Sequence, residues 1–390
     1  MLSELRSNIS SCLKCGACRL DWQTSEPICP SGLQFGFDSH YAIGRVSLAR
    51  TALEDRSVLD AESMRTVLSC TSCGGCDVQC NPTVGVQPLK VIEALKQEGL
   101  LAGALPPQLR DFLKNVSNYG NPYRLPQEER GRWAEGMGIE KYAGQDYLYY
   151  VGDVGSYDER GIELARNVAT LLQMAGVSFG ILGEDEHCDG NEVEKVGEWD
   201  LFQYLAEQNI EQFRSLGVKR IVTLCPHAFN AMKVTYRKFG ADFEVMHYTQ
   251  ILTRLLHEER LIPKRQVAAT LTYHDPCFLG RHNQEFDSPR EILDLIPGVK
   301  RLEMERSGEH AMCCGGGGGN FFTGFVGLGP RSPGRNRIRE ARDTGAQFLV
   351  VACPNCNNIL EDASRSEGVA DVITIRDVAG LLLEAMQHET

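Results

Sequence analysis

The chain has 390 residues, enough for two or three domains with cores of their own, and an ordinary globular composition with 42% hydrophobic and 24% charged residues. Its net charge of −12, without any basic block, argues against a nucleic-acid or anionic-membrane partner. Residues 1–11 lack the apolar segment of a signal peptide, and no run of about 18 apolar residues occurs. We therefore expect a cytoplasmic protein without direct membrane insertion. Fifteen cysteines, many in C-x2-C pairs, indicate metal binding rather than a disulfide framework.

Two sets of four cysteines come first along the chain. They are Cys12, Cys15, Cys18 and Cys29, followed by Cys70, Cys73, Cys76 and Cys80. The second set has the C-x2-C-x2-C-x3-C spacing of bacterial ferredoxins, in which the fourth cysteine ligates the other cluster. This rule predicts two cubane [4Fe-4S] clusters, one on Cys12, Cys15, Cys18 and Cys80 and one on Cys70, Cys73, Cys76 and Cys29. The ten residues before Cys29 depart from the usual three. Zinc is the alternative for any C-x2-C pair, but the three-plus-one spacing disfavours it.

Helical periodicity is expected on both sides of the second cysteine set, over about 41–54 and 86–99. Clusters separated by helices are typical of an α-helical ferredoxin domain, here residues 1–100. Residues 101–145 are rich in prolines and charges and are predicted to be a linker.

Strands and helices then alternate, which predicts α/β units with largely parallel sheets. Strands are expected near 146–152, 178–182, 220–224 and 268–273, and helices near 161–175, 229–239, 249–259 and from 334. The stretch 219–230 mirrors 347–358, so we predict two repeats, 146–262 and 263–390.

The second repeat carries the most distinctive cysteine pattern. Its members are Cys277, Cys313 and Cys314 followed by five glycines, and Cys353-Pro-Asn-Cys356. Five thiols are too many for one tetrahedral zinc, and vicinal cysteines suit a cluster. Glycines let the backbone approach a bulky core closely. A phosphate-binding loop is disfavoured because no Gly-Lys-Ser/Thr follows the glycines.

This pattern resembles the cysteine-rich CCG domain of heterodisulfide reductases. The resemblance implies a non-cubane [4Fe-4S] cluster on Cys277, Cys313, Cys314, Cys353 and Cys356. Over nearly its whole length the chain resembles the fused ferredoxin-plus-CCG form of the heterodisulfide reductase catalytic subunit. Related subunits occur in glycolate and glycerol-3-phosphate oxidising complexes and in class II benzoyl-coenzyme A reductase complexes. The expected fold is a multi-domain α+β protein, an α-helical ferredoxin domain followed by two α/β CCG repeats.

The first repeat has lost most of the ligands that the resemblance implies. Asp153 stands at the expected first cysteine, His187-Cys188 replaces Cys-Cys, and Ala228 replaces the last cysteine after Cys225. One interpretation is an empty vestige whose cysteines pack as small hydrophobic residues. The other is a zinc or remnant metal site on Asp153, His187, Cys188 and Cys225. His227 is expected to be structural.

Polar residues flank the cysteines of the second repeat. His274, Asp275, Arg281 and His282 lie near Cys277 and either donate hydrogen bonds to a cluster, bind substrate, or cap loops. The loop 320–333 either covers the cluster or docks a partner. Arg335 and Arg339 should share one helix face.

Together these features predict an electron-transfer iron–sulfur subunit of a multi-subunit oxidoreductase. No G-x-G-x-x-G motif follows a strand, so electrons would enter from a flavin-containing HdrA-like partner and leave to a terminal reductase. The alternatives are a catalytic heterodisulfide reductase subunit, or the iron–sulfur subunit of a 2-hydroxy-acid oxidase complex. In the family, the disulfide is understood to be split between two clusters, and the stripped first repeat lacks one of them.

Overall fold

The computed structural model describes residues 2–386, apart from the side chains of residues 81–84. The last four residues of the predicted second repeat therefore lie outside the described part. No described helix is both long and apolar enough to cross a membrane.

The N-terminal third is helical. Its α-helices are α1 (Arg6–Ser10), α2 (Pro30–Phe35), α3 (Ala42–Ala52), α4 (Ala61–Leu68), α5 (Gly75–Val84), α6 (Pro88–Leu101) and α7 (Pro107–Tyr119). Helix α4 begins with a capping box, in which the Asp60 side chain accepts from the Ser63 amide at 2.8 Å. Helices α3, α4 and α6 pack around a core that includes Ala49, Val67 and Leu95. The predicted helices on both sides of Cys70–Cys80 are thus present, shifted by about two residues.

Helix α7 lies inside the segment predicted as a linker. Pro107 occupies its first turn and Gly120 ends it in the left-handed conformation. Its apolar face buries Phe112, whose ring stacks on Phe322 of the second repeat at 5.6 Å between centroids. The sequence did not predict this helix, because the prolines on both sides of it are typical of loops.

Two four-stranded parallel sheets follow. The first repeat contains β1 (Tyr147–Tyr150), α8 (Gly152–Tyr157), α9 (Glu159–Met174), β2 (Phe179–Gly180), α10 (Asn191–Val196), α11 (Trp199–Ser215), β3 (Arg220–Thr223), α12 (Pro226–Asn230), β4 (Glu244–His247) and α13 (Tyr248–His257). The second contains β5 (Ala269–Tyr273), α14 (Gly280–Asn283), α15 (Asp287–Leu295), β6 (Val299–Leu302), α16 (Asn320–Thr323), α17 (Pro333–Asp343), β7 (Phe348–Val351), α18 (Pro354–Glu367), β8 (Thr374–Asp377) and α19 (Val378–Met386).

The two sheets have the same strand order, β2-β1-β3-β4 and β6-β5-β7-β8, with every pairing parallel. This confirms the predicted fold class and its duplication. Each sheet presents the carboxyl ends of two central neighbouring strands, where ligands bind in open parallel sheets. Cys277 follows β5 there, and Cys353 follows β7.

The glycine run Gly315–Gly319 forms the junction between the ferredoxin domain and both repeats. A Cβ atom added to Gly318 would lie 2.5 Å from the Cys70 carbonyl oxygen, and one on Gly319 would lie 2.3 Å from Val196 Cγ1. The Asn320 side chain donates to the Leu68 carbonyl at 3.2 Å. From the sequence, the glycines are expected to admit an inorganic core, but these contacts are with protein backbone and side chains.

Replacing Gly318 with alanine tests this junction. Gly318 has φ +65°, so alanine should cost about 1 kcal/mol in backbone strain and about 1–3 kcal/mol more from overlap with Cys70. Gly345→Ala is the matched control, because Gly345 has φ +76° with nothing within 4 Å of its added Cβ. Anaerobic urea denaturation measures both free energies of unfolding, and equal losses would contradict the close contact.

Candidate metal centres

The first candidate centre is a cavity whose lining includes Cys12, Cys15, Cys18 and Cys80. Cys12 and Cys15 lie on the loop after α1, Cys18 lies in the short 3-10 helix Ala17–Arg19 that follows, and Cys80 lies on α5. Cys15 is exposed, whereas Cys18 and Cys80 are buried. The structure thus brings together the four cysteines that the spacing rule grouped.

The second candidate centre is a cavity whose lining includes Cys29, Cys70, Cys73 and Cys76, again as grouped from the sequence. Cys29 caps α2, and its sulfur accepts from the Gly32 amide at 3.5 Å. The long interval before Cys29 is filled by the extended bridge Leu20–Pro27 and the turn it closes. Burial raises the pKa of Cys29 to about 11, so metal binding must displace its proton.

The two three-cysteine loops share one backbone conformation. Lys14 and Ser72, each just before the second cysteine, have φ +56° and +51°. Gly16 and Gly74, each just after it, have φ +81° and +75°. Left-handed non-glycine residues are uncommon, and their recurrence at matching positions indicates loops built to turn three sulfurs toward one centre.

The sulfurs of these eight cysteines surround cavities rather than meeting at a point. Zinc with Zn–S bonds of about 2.3 Å would hold its sulfurs about 3.8 Å apart. Among the described residues, the one group of three metal-ligating side chains with ligand atoms within 4.8 Å of one another lies elsewhere, at His274, Cys314 and Cys356. The two ferredoxin cavities therefore fit a multi-iron core better than a zinc ion.

The third candidate centre gathers the five cysteines of the second repeat, all buried. The Cys314 and Cys356 sulfurs are 3.3 Å apart, and the Cys313 sulfur accepts from the Gly315 amide at 3.3 Å. Hydrogen bonds from Cys313 and Cys356 hold the pKa of Cys314 well below its usual value. A lowered pKa favours the thiolate, which is the form of cysteine that binds metal. A group of neighbouring thiols with this property suits the binding of several metal ions.

His274 faces the third centre as a hydrogen-bond donor. Its Nδ1 accepts from Arg337 Nε at 3.2 Å, and because an arginine only donates, the ring proton must reside on Nε2. That Nε2 atom is buried without a protein partner. Burial, assisted by Arg337, lowers the pKa of His274 to about 3, so the ring is neutral. A protonated Nε2 cannot ligate a metal but can donate to sulfur.

Asp275, the next residue, is structural. It accepts two hydrogen bonds from Arg290, at 2.6 and 2.9 Å, and one from the Gly308 amide at 2.8 Å. Of the four polar residues near Cys277, Asp275 thus follows the loop-pairing interpretation and His274 the hydrogen-bonding one.

The second and third centres adjoin. Cys73 packs in one buried cluster with Cys277 and Cys313, and the neighbouring Cys313 thiol, together with burial, raises the pKa of Cys73 well above its usual value. Arg281 donates to the Cys73 carbonyl at 3.3 Å, and His282 Nε2 lies 2.8 Å from the Ser72 carbonyl oxygen. Both residues therefore tie the second repeat to the ferredoxin loop.

The first repeat has a cavity at the matching place, and one carboxylate of its lining is paired with a buried arginine. Asp153 lines this cavity and pairs with the buried Arg130 at 2.7 Å. Arg130 also pairs with Glu186 at 3.0 Å. Sequence reasoning missed Arg130 because it sits in a charged run that is typical of a solvated linker.

The residues predicted as a zinc or remnant site are only partly brought together. Asp153, Cys188 and Cys225 line the cavity, but His187 is not among its lining residues. The His187 carbonyl accepts from the Tyr150 hydroxyl at 2.6 Å. This geometry favours the packed vestige.

Comparison with known proteins agrees with this architecture. A family model described as a 4Fe-4S dicluster domain matches residues 8–84, and one described as a cysteine-rich domain matches residues 150–233 and 271–361. A subunit of the dihydromethanophenazine:CoB–CoM heterodisulfide reductase of Methanosarcina barkeri is 34% identical, covering 83% of this chain and 79% of its own length. The chain belongs to this family of iron–sulfur oxidoreductases.

Two other relatives are longer proteins. A probable iron–sulfur-binding oxidoreductase, FadF, from Bacillus subtilis is 36% identical over 84% of this chain and 47% of its own length. The EtfAB:quinone oxidoreductase of Syntrophomonas wolfei is 31% identical over 86% of this chain and 48% of its own length. The chain thus spans about half the length of these two relatives.

The family match includes the first repeat despite its missing ligands, so this repeat is a CCG domain with an altered centre. Two side chains of this altered centre, Cys225 and His227, lie beside the second repeat. Against the effect of burial, the neighbouring Cys225, Cys356 and His227 hold the pKa of the Cys353 thiol well below its usual value. His227 also pairs with Glu192, and its ring lies 4.4 Å from that of Phe278. The first CCG repeat thus packs against one ligand candidate of the second.

Replacing Arg130 with methionine tests whether its ion pairs with Asp153 and Glu186 are buried. In Arg130→Met, Asp153 and Glu186 keep their burial but lose their cation, so the free energy of unfolding should fall by about 3–5 kcal/mol. Arg132→Met is the control, because its side chain is 62% exposed and makes a single pair with Glu129 at 3.4 Å, and it should cost under about 1 kcal/mol. Urea denaturation followed by circular dichroism measures both, and comparable losses would contradict a buried ion pair at this position.

Proposed function

We propose that the protein is an electron-transfer iron–sulfur subunit of a multi-subunit oxidoreductase. Two cubane [4Fe-4S] clusters would be held by Cys12, Cys15, Cys18 and Cys80 and by Cys29, Cys70, Cys73 and Cys76. One non-cubane cluster would be held by Cys277, Cys313, Cys314, Cys353 and Cys356. These clusters would supply single-electron redox chemistry.

The contact between Cys73 and Cys313 carries this proposal. It places the second thiol cavity against the third, while the exposed Cys15 opens the first cavity to the surface. A route that begins at an exposed centre and ends at a buried one suits electron transfer from a docked partner.

The chain's own residues bind and insulate this route. The buried cysteines and Phe278 exclude water between the second and third centres. A ring nitrogen of His274 lies within 4.8 Å of the Cys314 and Cys356 sulfurs, and a hydrogen bond from its Nε2 proton would stabilise negative charge on sulfur.

We propose a flavin-containing, HdrA-like protein as the electron partner, because the chain has no dinucleotide-binding motif of its own. The name of the Syntrophomonas relative, an EtfAB:quinone oxidoreductase, supports a role between two redox partners. An anaerobic affinity purification from native cells tests this partnership. Recovery of a flavoprotein together with a reductase subunit is the expected result, and recovery of the chain alone would argue against it.

Iron content tests the cluster assignment. The anaerobic full chain should contain about twelve iron and twelve sulfide ions, four of each per cluster. Cys314→Ser should remove the spectroscopic signal of the third cluster and leave both cubane signals, because its ligands lie on separate elements. About eight iron ions in the native chain, or loss of all signals in the variant, would contradict the assignment.

Electron flow through the third centre gives a second test. In Cys353→Ser, reduced flavoprotein should still reduce the cubanes at the native rate, while reduction of a downstream acceptor falls at least about tenfold. Cys188→Ser is the control, since Cys188 belongs to none of the three proposed ligand sets. Stopped-flow absorbance under anaerobic conditions measures both steps. Unchanged acceptor reduction in Cys353→Ser would remove the third centre from the route.

Disulfide reduction is the second candidate, supported by the heterodisulfide reductase relative. Splitting a disulfide takes two electrons and leaves two thiolates, each of which must be stabilised. The cavity of the first repeat has two thiols among its lining residues, Cys188 and Cys225, and its Asp153 is paired with Arg130. We therefore expect no useful turnover of small disulfides with reduced viologen. Robust turnover that Cys314→Ser abolishes would make this candidate the correct one.

A further inference from the structure

Three cations lie around the second centre, and the hydrogen bonds that they donate go to neutral groups. Arg45, on α3, lines the cavity and is 1% exposed. Its guanidinium donates to the Ser31 hydroxyl at 2.6 Å, the Ser69 hydroxyl at 2.8 Å and the Thr66 carbonyl at 2.8 Å. It also donates to the His40 carbonyl. A guanidinium cannot lose its proton in a protein, so this charge is permanent.

Lys96, on α6, is completely buried on another side of the same centre. Its Nζ donates to the Cys70 carbonyl at 3.0 Å, the Ser72 hydroxyl at 3.1 Å and the Lys195 carbonyl at 2.8 Å. The first two acceptors belong to the cysteine loop itself.

Arg281, from the second repeat, completes the set. One of its Nη atoms donates to the Cys73 carbonyl at 3.3 Å and the other to the Ala311 carbonyl. Its Nε is buried and has no protein partner. The side chain is half-buried between Cys73, Cys277 and Cys313.

None of these three cations makes an ion pair with a carboxylate in the part of the chain that the structure describes. Buried cations elsewhere do: Lys195 pairs with Glu93 at 3.0 Å, and Arg130 pairs with two carboxylates. The acidic groups that act on the set at longer range include Glu93 and Glu192 on Lys96, Asp275 on Arg281, and Asp77 beside Cys76. Burying cations without a counter-ion is strongly unfavourable, so this geometry requires a negative charge in the cavity.

We propose that Arg45, Lys96 and Arg281 are the counter-charges of the cluster held by Cys29, Cys70, Cys73 and Cys76, and that they raise its reduction potential against the effect of burial. This inference rests on the ligand assignment in the proposed function. Reduction transfers one electron from the donor and adds one negative charge to the cluster, with no bond made or broken. Net charge, hydrogen bonds and solvent exposure set the potentials of iron–sulfur clusters.

The first cluster does not require buried counter-charges, because its ligand Cys15 is exposed and water can reach the cluster there. Near the first cluster, Lys14 lines the cavity from its exposed loop, and the half-buried Arg50 donates to the Cys12 carbonyl at 3.1 Å. The first cluster therefore serves as a reference within the same molecule.

The experiment is an anaerobic redox titration of the full chain followed by electron paramagnetic resonance. Cys70→Ser identifies the signal of the second cluster by removing it. At a fixed ambient potential, Arg45→Gln, Lys96→Gln and Arg281→Gln should each lower the reduced-to-oxidised ratio of the second cluster about tenfold, a shift of about 59 mV for one electron. The first cluster should not move, and Arg45→Lys should recover the native potential of the second. Arg50→Gln should leave the second cluster unchanged.

An unchanged second-cluster potential in Arg45→Gln and Lys96→Gln, or an equal shift of both clusters, would overturn the inference. Where a neutral variant does not hold the second cluster, recovery of the cluster in Arg45→Lys supports the counter-charge role, and failure to recover it overturns that role. A native chain without any second cubane signal would instead overturn the ligand assignment. The two failures are therefore distinguishable.

Discussion

The packing of one cysteine loop against one glycine run is the constraint on which the arrangement of the centres depends. The carbonyl groups of Cys70 and Thr71 lie so close to Gly317 and Gly318 that no side chain can stand between them. This contact sets Cys73 beside Cys313 and thereby brings the second centre to the third. Lys96 reinforces the same place by linking the Cys70 carbonyl to that of Lys195. A helical domain and two sheets thus meet at a few backbone atoms.

Local spacing in the sequence predicted the features that are locally determined. The ferredoxin spacing grouped the eight N-terminal cysteines as the structure brings them together, because a short loop can turn three sulfurs inward only at fixed intervals. The mirrored stretches predicted the duplicated sheets. In contrast, β6 was not predicted, because its central residues Lys300 and Arg301 give it no apolar pattern. Helix α7 was not predicted, because prolines flank it in the sequence. Its apolar face packs against Phe322, which is far along the chain and could not be identified as its contact from local sequence.

The burial of Arg130 could not be predicted from the sequence, since a charged residue in a polar run is usually solvated. Its burial depends on Asp153 and Glu186, which are distant in the chain and meet only when the first sheet forms. The first repeat therefore keeps the fold of the second repeat, while Asp153, at the wall of the corresponding cavity, is paired with Arg130. Its Cys225 and His227 also lie beside Cys353 of the second repeat and act on the pKa of that thiol.

On the proposed assignment, each cubane cluster takes its fourth ligand, Cys80 or Cys29, from the other cysteine set. This has a consequence for how the protein matures during synthesis. On the proposed assignment, the first cluster lacks its fourth ligand until residue 80 has left the ribosome, although three of its ligands lie within the first eighteen residues. The second cluster needs Cys29 from the earlier segment, so it completes only when the two segments have folded around each other. The third set is complete only after Cys356 emerges. Cofactor insertion is thus deferred until each segment is synthesised, and the nascent chain must keep its early thiols reduced in the meantime.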